Sequence, residues 1–158
     1  MLFRSREETK FQAKKLYELI YSLIKVKEAF KLEDSIYDLY MRDRLYLISN
    51  KITEIPKEID NLSNLQVLSL PYNQITEIPK ELGKLSNLKK LDLYNNIITE
   101  IPKELGNLSN LQTLSLSANL ITEIPKELGK LSNLQRLYLF NNEITVIPKE
   151  LKHLPILI

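Results

Sequence analysis

The sequence predicts an α/β solenoid, an arc with a parallel concave β-sheet, short convex helices and an N-terminal helical cap. Three observations predict it. Asparagines recur at 50, 73, 96, 119 and 142, and prolines at 56, 79, 102, 125 and 148, both at a spacing of 23 with no insertion or deletion. The phrase EIPKELGKLSNL at 77–88 returns unchanged at 123–134, and EIPKELGNLSNL stands between them at 100–111. Residues 1–44 do not repeat. A fixed period of this kind marks stacked units, each burying its apolar face against the next.

The cap comes first. Leu16, Leu19, Ile20, Leu23, Ile24 and Phe30 fall on one helical stripe, while Lys14, Lys15, Glu18, Lys25 and Glu28 lie mostly elsewhere around it. LEDSIYDLYM predicts a second short helix over 33–41. A solenoid's first unit exposes a raw apolar edge, so this segment is expected to cover it. Mixed charges flank the stripe and no polybasic face forms, which argues against a helix for a membrane surface.

The solenoid follows over 45–158, with about five strands. One unit reads LQVLSLPYNQITEIPKELGKLSN from Leu65. Leucines stand three, five and eight residues before each asparagine: Leu70, Leu68 and Leu65 before Asn73, then Leu93, Leu91 and Leu88, Leu116, Leu114 and Leu111, and Leu139, Leu137 and Leu134. In Leu-x-Leu the two leucines point inward and the residue between them outward. Ile-Pro-Lys-Glu-Leu predicts a helix of one or two turns. Proline suits the first helical position, where its missing N–H is not needed, and Gly83, Gly106 and Gly129 are expected to end each turn. Ile75, Ile78, Leu82 and Leu85 line the interior of that arc.

The LxxLxLxxN spacing, repeated at one interval over 45–158, closely resembles the leucine-rich repeat family. The units are similar to those of bacterial leucine-rich proteins and of Ras-suppressor-like and Scribble-like scaffolds. The resemblance implies a continuous ladder of buried asparagines, Asn50, Asn73, Asn96, Asn119 and Asn142, each bonded to backbone groups of adjoining turns. It also implies recognition rather than catalysis. Several positions depart from the pattern: Arg42 stands where the other units have leucine, Asp60 and Lys152 where they have glycine, and Pro155 and Ile156 where they have serine and asparagine.

Composition bounds the function. Hydrophobic residues make up 44% and charged residues 27%, and the formal net charge is +2. That balance steers the chain toward neither nucleic acid nor an anionic membrane. Lys89, Lys90 and Arg136 form a basic row, but Asp92 interrupts it. There is no cysteine, which excludes disulfides, thiolate metal sites and a cysteine nucleophile. A cytoplasmic location is expected, or a host cytosol for an effector. MLFRSREETKFQ is charged where a signal peptide needs an apolar run, and LYELIYSLIKV at 16–26 is far short of the roughly 20 apolar residues of a membrane span. His153 is the only histidine and is expected to be an exposed side chain. No catalytic residue, metal site or cofactor site is expected. Lys80–Glu81 and its repeats read as a solvated convex face.

The positions that vary between units are the informative ones. Six before each asparagine stand Arg44, Val67, Lys90, Thr113 and Arg136; four before, Tyr46, Ser69, Asp92, Ser115 and Tyr138. Two before stand Ile48, Pro71, Tyr94, Ser117 and Phe140; one before, Ser49, Tyr72, Asn95, Ala118 and Asn141. The expected partner surface is Tyr46, Tyr72, Asp92, Tyr94, Ser115, Ser117, Arg136, Tyr138 and Phe140, because exposed aromatics near an arginine are typical anchors. Ser115, Ser117 and Ala118 predict a low floor, walled by Asp92 and Tyr94 on one side and Arg136, Tyr138 and Phe140 on the other. The expected occupant is a protein or peptide: a peptide, loop or helix. Two other readings fit the residues: a targeting fragment of a bacterial effector or signalling protein whose activity lies in another domain, and a designed repeat scaffold. At the C-terminal end, nothing after Leu157-Ile158 would cover Leu137, Leu139 and Ile147, so weak homodimerisation through the final unit is expected.

Overall fold

The computed structural model describes residues 6–157. Leu-x-Leu alternation builds its concave wall. Strands β1 (Arg44–Tyr46), β2 (Val67–Ser69), β3 (Lys90–Asp92), β4 (Thr113–Ser115), β5 (Arg136–Tyr138) and β6 (Ile156–Leu157) form one sheet in chain order. The pairing is parallel, and its register sets Leu45, Leu68, Leu91, Leu114 and Leu137 side by side. All five are fully buried. Each full burial of a leucine contributes about 1.5–3 kcal/mol, so the stacked rows dominate stability.

The convex returns are 3₁₀ helices: η1 (Lys57–Asn61), η2 (Lys80–Lys84), η3 (Lys103–Asn107), η4 (Lys126–Lys130) and η5 (Lys149–Leu151). Proline stands one position earlier than the sequence suggests. Pro79 is the N-cap with extended ψ of 138°, and its carbonyl accepts the Leu82 N–H at 3.0 Å to close the turn. Ile75, Ile78, Leu82 and Leu85 are buried as expected.

Glycine does not end these turns. Gly83 lies inside η2, and no glycine has a positive φ. The reason for glycine is contact with the next coil. A Cβ on Gly83 would stand 2.3 Å from the Glu104 carbonyl oxygen, one on Gly106 2.3 Å from that of Glu127, and one on Gly129 2.6 Å from that of Glu150. Lys152 follows η5, and no further convex turn stacks on it among the described residues. Asp60, in η1, carries a side chain that pairs with Lys84 at 2.8 Å.

The asparagine ladder runs backward along the chain. Asn96 Nδ2 donates to Leu70 and Leu93 carbonyls at 3.1 Å each, and its Oδ1 accepts from Ile75 N–H at 3.0 Å. Asn73, Asn119 and Asn142 bond in the same way to the coil before them. Asn50 does not belong to this buried row. It is exposed, donates only to the Ile48 carbonyl, and gives its own N–H to Asn73 Oδ1, because no repeat coil precedes it. A second ladder escaped the sequence reading: Asn87, Asn110 and Asn133 donate to the Ser63, Ser86 and Ser109 carbonyls at 2.7–2.8 Å.

The cap consists of α1 (Arg6–Phe30) and α2 (Ile36–Met41), the latter N-capped by Ser35 Oγ, which accepts the Asp38 N–H. Leu23, Val26 and Phe30 form the buried face of α1, with Leu19 packed beside them. Leu16, Ile20 and Ile24 of the expected stripe are instead exposed. The contact surface is narrower than the apolar stripe, so only one edge of that stripe meets η1. Lys25 pairs with Glu58 of η1 at 3.3 Å. Leu39 of α2 is fully buried, while Arg42 pairs with Asp34 instead of entering the core. Asn64 donates to the Tyr40 carbonyl at 3.1 Å and ties α2 to the first coil.

The last coil also departs from expectation. Leu114 aligns with Leu137, 23 residues on, but Leu137 aligns with Ile156, only 19 residues on. The shortened return brings in β6 as a sixth strand. Leu137 and Leu139 are consequently 0% and 1% exposed, which removes the expected bare edge; Ile147 remains 36% exposed. No helix among the described residues is long and apolar enough to cross a membrane.

Candidate functional site

The outward positions of β1–β5 and the turns after them form the candidate surface. Alternation along each strand sets the rows: Lys90, Thr113 and Arg136; then Asp92, Ser115 and Tyr138; then, just past the strands, Tyr94, Ser117 and Phe140.

Three of the expected aromatics meet. Tyr72 packs edge-on against Tyr94 with ring centroids 5.2 Å apart, and Tyr94 tilts against Phe140 at 6.4 Å. Such pairs contribute about 0.5–1.5 kcal/mol beyond burial. Tyr72 is half exposed, and its phenol is held above the ordinary tyrosine range by its hydrogen bond with Tyr94, then by the charge of Tyr94, then by burial. Tyr46 and Tyr138 make no ring contact among the described residues, so the structure does not join them to this row.

The expected floor differs from its sequence reading. Ser115 is half-buried, but Ser117 is fully buried and its Oγ has no hydrogen-bond partner. Tyr94 and Phe140 occupy the same position in units three and five, so their backbones are anchored about 9.6 Å apart, twice the spacing of parallel strands. Their rings are 6.4 Å apart. They lean toward each other across unit four, where the buried Ser117 holds the same repeat position.

Charge is unevenly used. Asp92 accepts the Tyr94 N–H at 3.2 Å and lies 3.5 Å from both Ser69 Oγ and Lys90 Nζ. It is therefore a positioning group for the turn as well as a carboxylate facing the surface. Arg136 is exposed and has no ion-pair partner among the described residues.

The positions just before the ladder asparagines are not conformationally free. Ser49, Tyr72, Asn95, Ala118 and Asn141 all have φ between 54° and 57°. The left-handed conformation bends the chain out of each strand, and the two asparagines suit it best. Recurrence of asparagine at 95 and 141 was the available signal. Sequence reading also missed Ile97 and Leu120, one residue past the ladder, each 45% exposed. Their signal was variation at that position, which reads Lys51, Gln74, Ile97, Leu120 and Glu143.

A parallel sheet walled by short convex turns, with asparagines bonded coil to coil, defines a class of repeat solenoid. Two family models match it: Leucine rich repeat over residues 43–98 and Leucine-rich repeat region over residues 80–157. The chain belongs to the leucine-rich repeat family. No curated protein matches it. Among solved structures, a leucine-rich repeat protein of Leptospira interrogans is 41% identical with a TM-score of 0.60, over 72% of this chain and 36% of that one. Internalin C2 of Listeria monocytogenes is 39% identical with a TM-score of 0.66, over 75% of this chain and 50% of its own. The BIR3–SERK2 complex of Arabidopsis thaliana contains a chain 34% identical with a TM-score of 0.63, over 68% of this chain and 60% of that chain. The protein thus spans between about one third and three fifths of the length of these neighbours.

Proposed function

We propose that this chain is a non-enzymatic protein-recognition module that takes a peptide, loop or helix on its concave sheet. The observation that carries the reading is the contrast between a near-constant convex phrase and a concave surface where Tyr72, Tyr94 and Phe140 form a joined aromatic row and Arg136, on β5 of the same face, is exposed and unpaired among the described residues. Aromatic rings with an arginine are favoured binding anchors, and an apolar row facing water on a sheet has few other uses. The similar BIR3–SERK2 chain, solved within a complex, supports a protein partner. The five full strands span about 20 Å, which fits a peptide or one helix.

Selection of displayed peptides on the full chain tests it. Selected peptides should lose binding to Tyr138→Ala/Phe140→Ala and to Arg136→Glu, with melting temperatures little changed. They should keep binding when the convex Lys103 and Glu104 are exchanged in charge. The reverse pattern would place recognition on the convex wall and end the concave reading.

A further inference from the structure

We propose that Tyr94, Phe140 and Ser117 form a slot for an arginine side chain of the partner, a proposal that rests on the concave reading above and specifies what that surface recognises. Ser117 is 0% exposed, yet its Oγ bonds to nothing. A buried hydroxyl without a partner is costly and uncommon in a native structure, and here it holds the repeat position midway between those of the two rings. Those rings belong to side chains anchored on units three and five. They can swing outward without any change in the backbone, because about 9.6 Å separates their strands.

The gap sets the shape of the guest. Ring centroids 6.4 Å apart at an interplanar angle of 52° leave just too little room for an inserted plane. A planar group stacked between two rings needs about 7 Å, twice a contact distance of about 3.5 Å. A turn of either ring toward parallel, with an opening of well under an ångström, admits one. The guest therefore is flat and bears polar hydrogens at its edge to meet Ser117 Oγ.

The electrostatics select a cation. Two aromatic faces attract positive charge, and a guanidinium is both planar and permanently charged. Asp92, two residues before Tyr94, supplies a carboxylate about 6.6 Å along the strand. Its contact with Lys90 is long at 3.5 Å, and the Lys90 side chain is 43% exposed, so an incoming guanidinium can replace it. Edge-on packing of Tyr72 against Tyr94 at 5.2 Å holds the outer wall of the slot. Arg136 stands four residues before Phe140, about 13 Å away in extended chain. A partner carrying an acidic residue about four extended residues from its arginine meets both.

The test is an NMR titration of the full chain with three probes: N-acetyl-arginine amide, N-acetyl-citrulline amide and N-acetyl-lysine amide. The arginine probe should give saturable shifts at Ser117, Tyr94, Phe140 and Asp92. Citrulline keeps the plane without the charge, and lysine keeps the charge without the plane; each should bind at least about fivefold more weakly, in line with the strength of a cation–π contact. Ser117→Ala should weaken the arginine response while holding or raising the melting temperature, since it removes an unpaired hydroxyl. Phe140→Ala should abolish the response. Absence of saturable shifts at these residues, equal response to citrulline, or unchanged response in both variants would overturn the slot. Selected peptides that need Tyr138 and Arg136 but ignore Phe140→Ala and Ser117→Ala would refute the slot and leave the concave reading standing. Peptides indifferent to all four positions would refute both.

Discussion

The Cβ that Gly83 lacks would stand 2.3 Å from the backbone carbonyl oxygen of Glu104, in the next coil. The obstacle is backbone, so it cannot rotate aside. Gly83→Ala must push η2 and η3 apart and loosen the leucine rows on both sides. Destabilisation of about 3 kcal/mol is expected from such overpacking, with a lower urea midpoint. Lys152→Ala, at the matching place after η5, should change stability by less than about 0.5 kcal/mol. Equal losses would contradict the reading that contact with the next coil is what requires glycine at 83.

Position in the ladder decides the cost of losing an asparagine. Asn96→Ala strands the Ile75 N–H in the interior, and a buried unsatisfied group costs about 1–3 kcal/mol; the Leu70 carbonyl keeps its bond from Asn73 Nδ2. Asn50 makes one exposed side-chain donation, so Asn50→Ala should cost well under 1 kcal/mol. Chemical denaturation of the two variants separates them.

Ala118 has φ 56°, a conformation that costs a residue with a Cβ roughly 1–2 kcal/mol. Ala118→Gly should therefore stabilise the protein, by about 0.5–1 kcal/mol after the entropy of glycine in the unfolded chain is subtracted. A lower melting temperature for this variant would contradict the left-handed turn.

Within the cap, burial separates neighbouring residues on one apolar stripe. Leu23→Ala should cost about 2–5 kcal/mol, as for other buried leucines, whereas Leu16→Ala at 57% exposure should cost less than about 0.5 kcal/mol. Removal of residues 1–31 takes away Leu23, Val26 and Phe30 and should abolish cooperative melting; removal of residues 1–17 should not.

The Tyr72–Tyr94 contact has a signature in alkali. The folded protein holds the Tyr72 phenol above its unfolded value, chiefly through the hydrogen bond with Tyr94. A raised phenol pKa means that the neutral form is favoured on folding. The contribution is complete below the unfolded value near 10 and is lost as pH rises through the folded one. Ultraviolet titration should show one tyrosine ionising late, and Tyr94→Phe should return it to the ordinary range.

Much of this protein was legible in its sequence because its periodic order is local. Leu-x-Leu fixes which residues face inward, the 23-residue interval fixes the register of Leu45 through Leu137, and the recurring asparagines mark the ladder. The outward rows, and with them Tyr94 and Phe140, follow from the same alternation. What the tertiary structure decided are contacts between coils, made by residues 21–26 or 46 positions apart. Only stacking shows that Gly83 is small because Glu104 passes over its Cα, that Tyr94 and Phe140 meet across unit four, or that Ser117 in the expected open floor is a buried hydroxyl. Only packing chooses Val26 over Leu16 for the cap, since a helix buries the edge that meets its neighbour, however wide its apolar stripe. The final return, 19 residues in place of 23, likewise covers Leu137 with a sixth strand that a fixed period could not foresee.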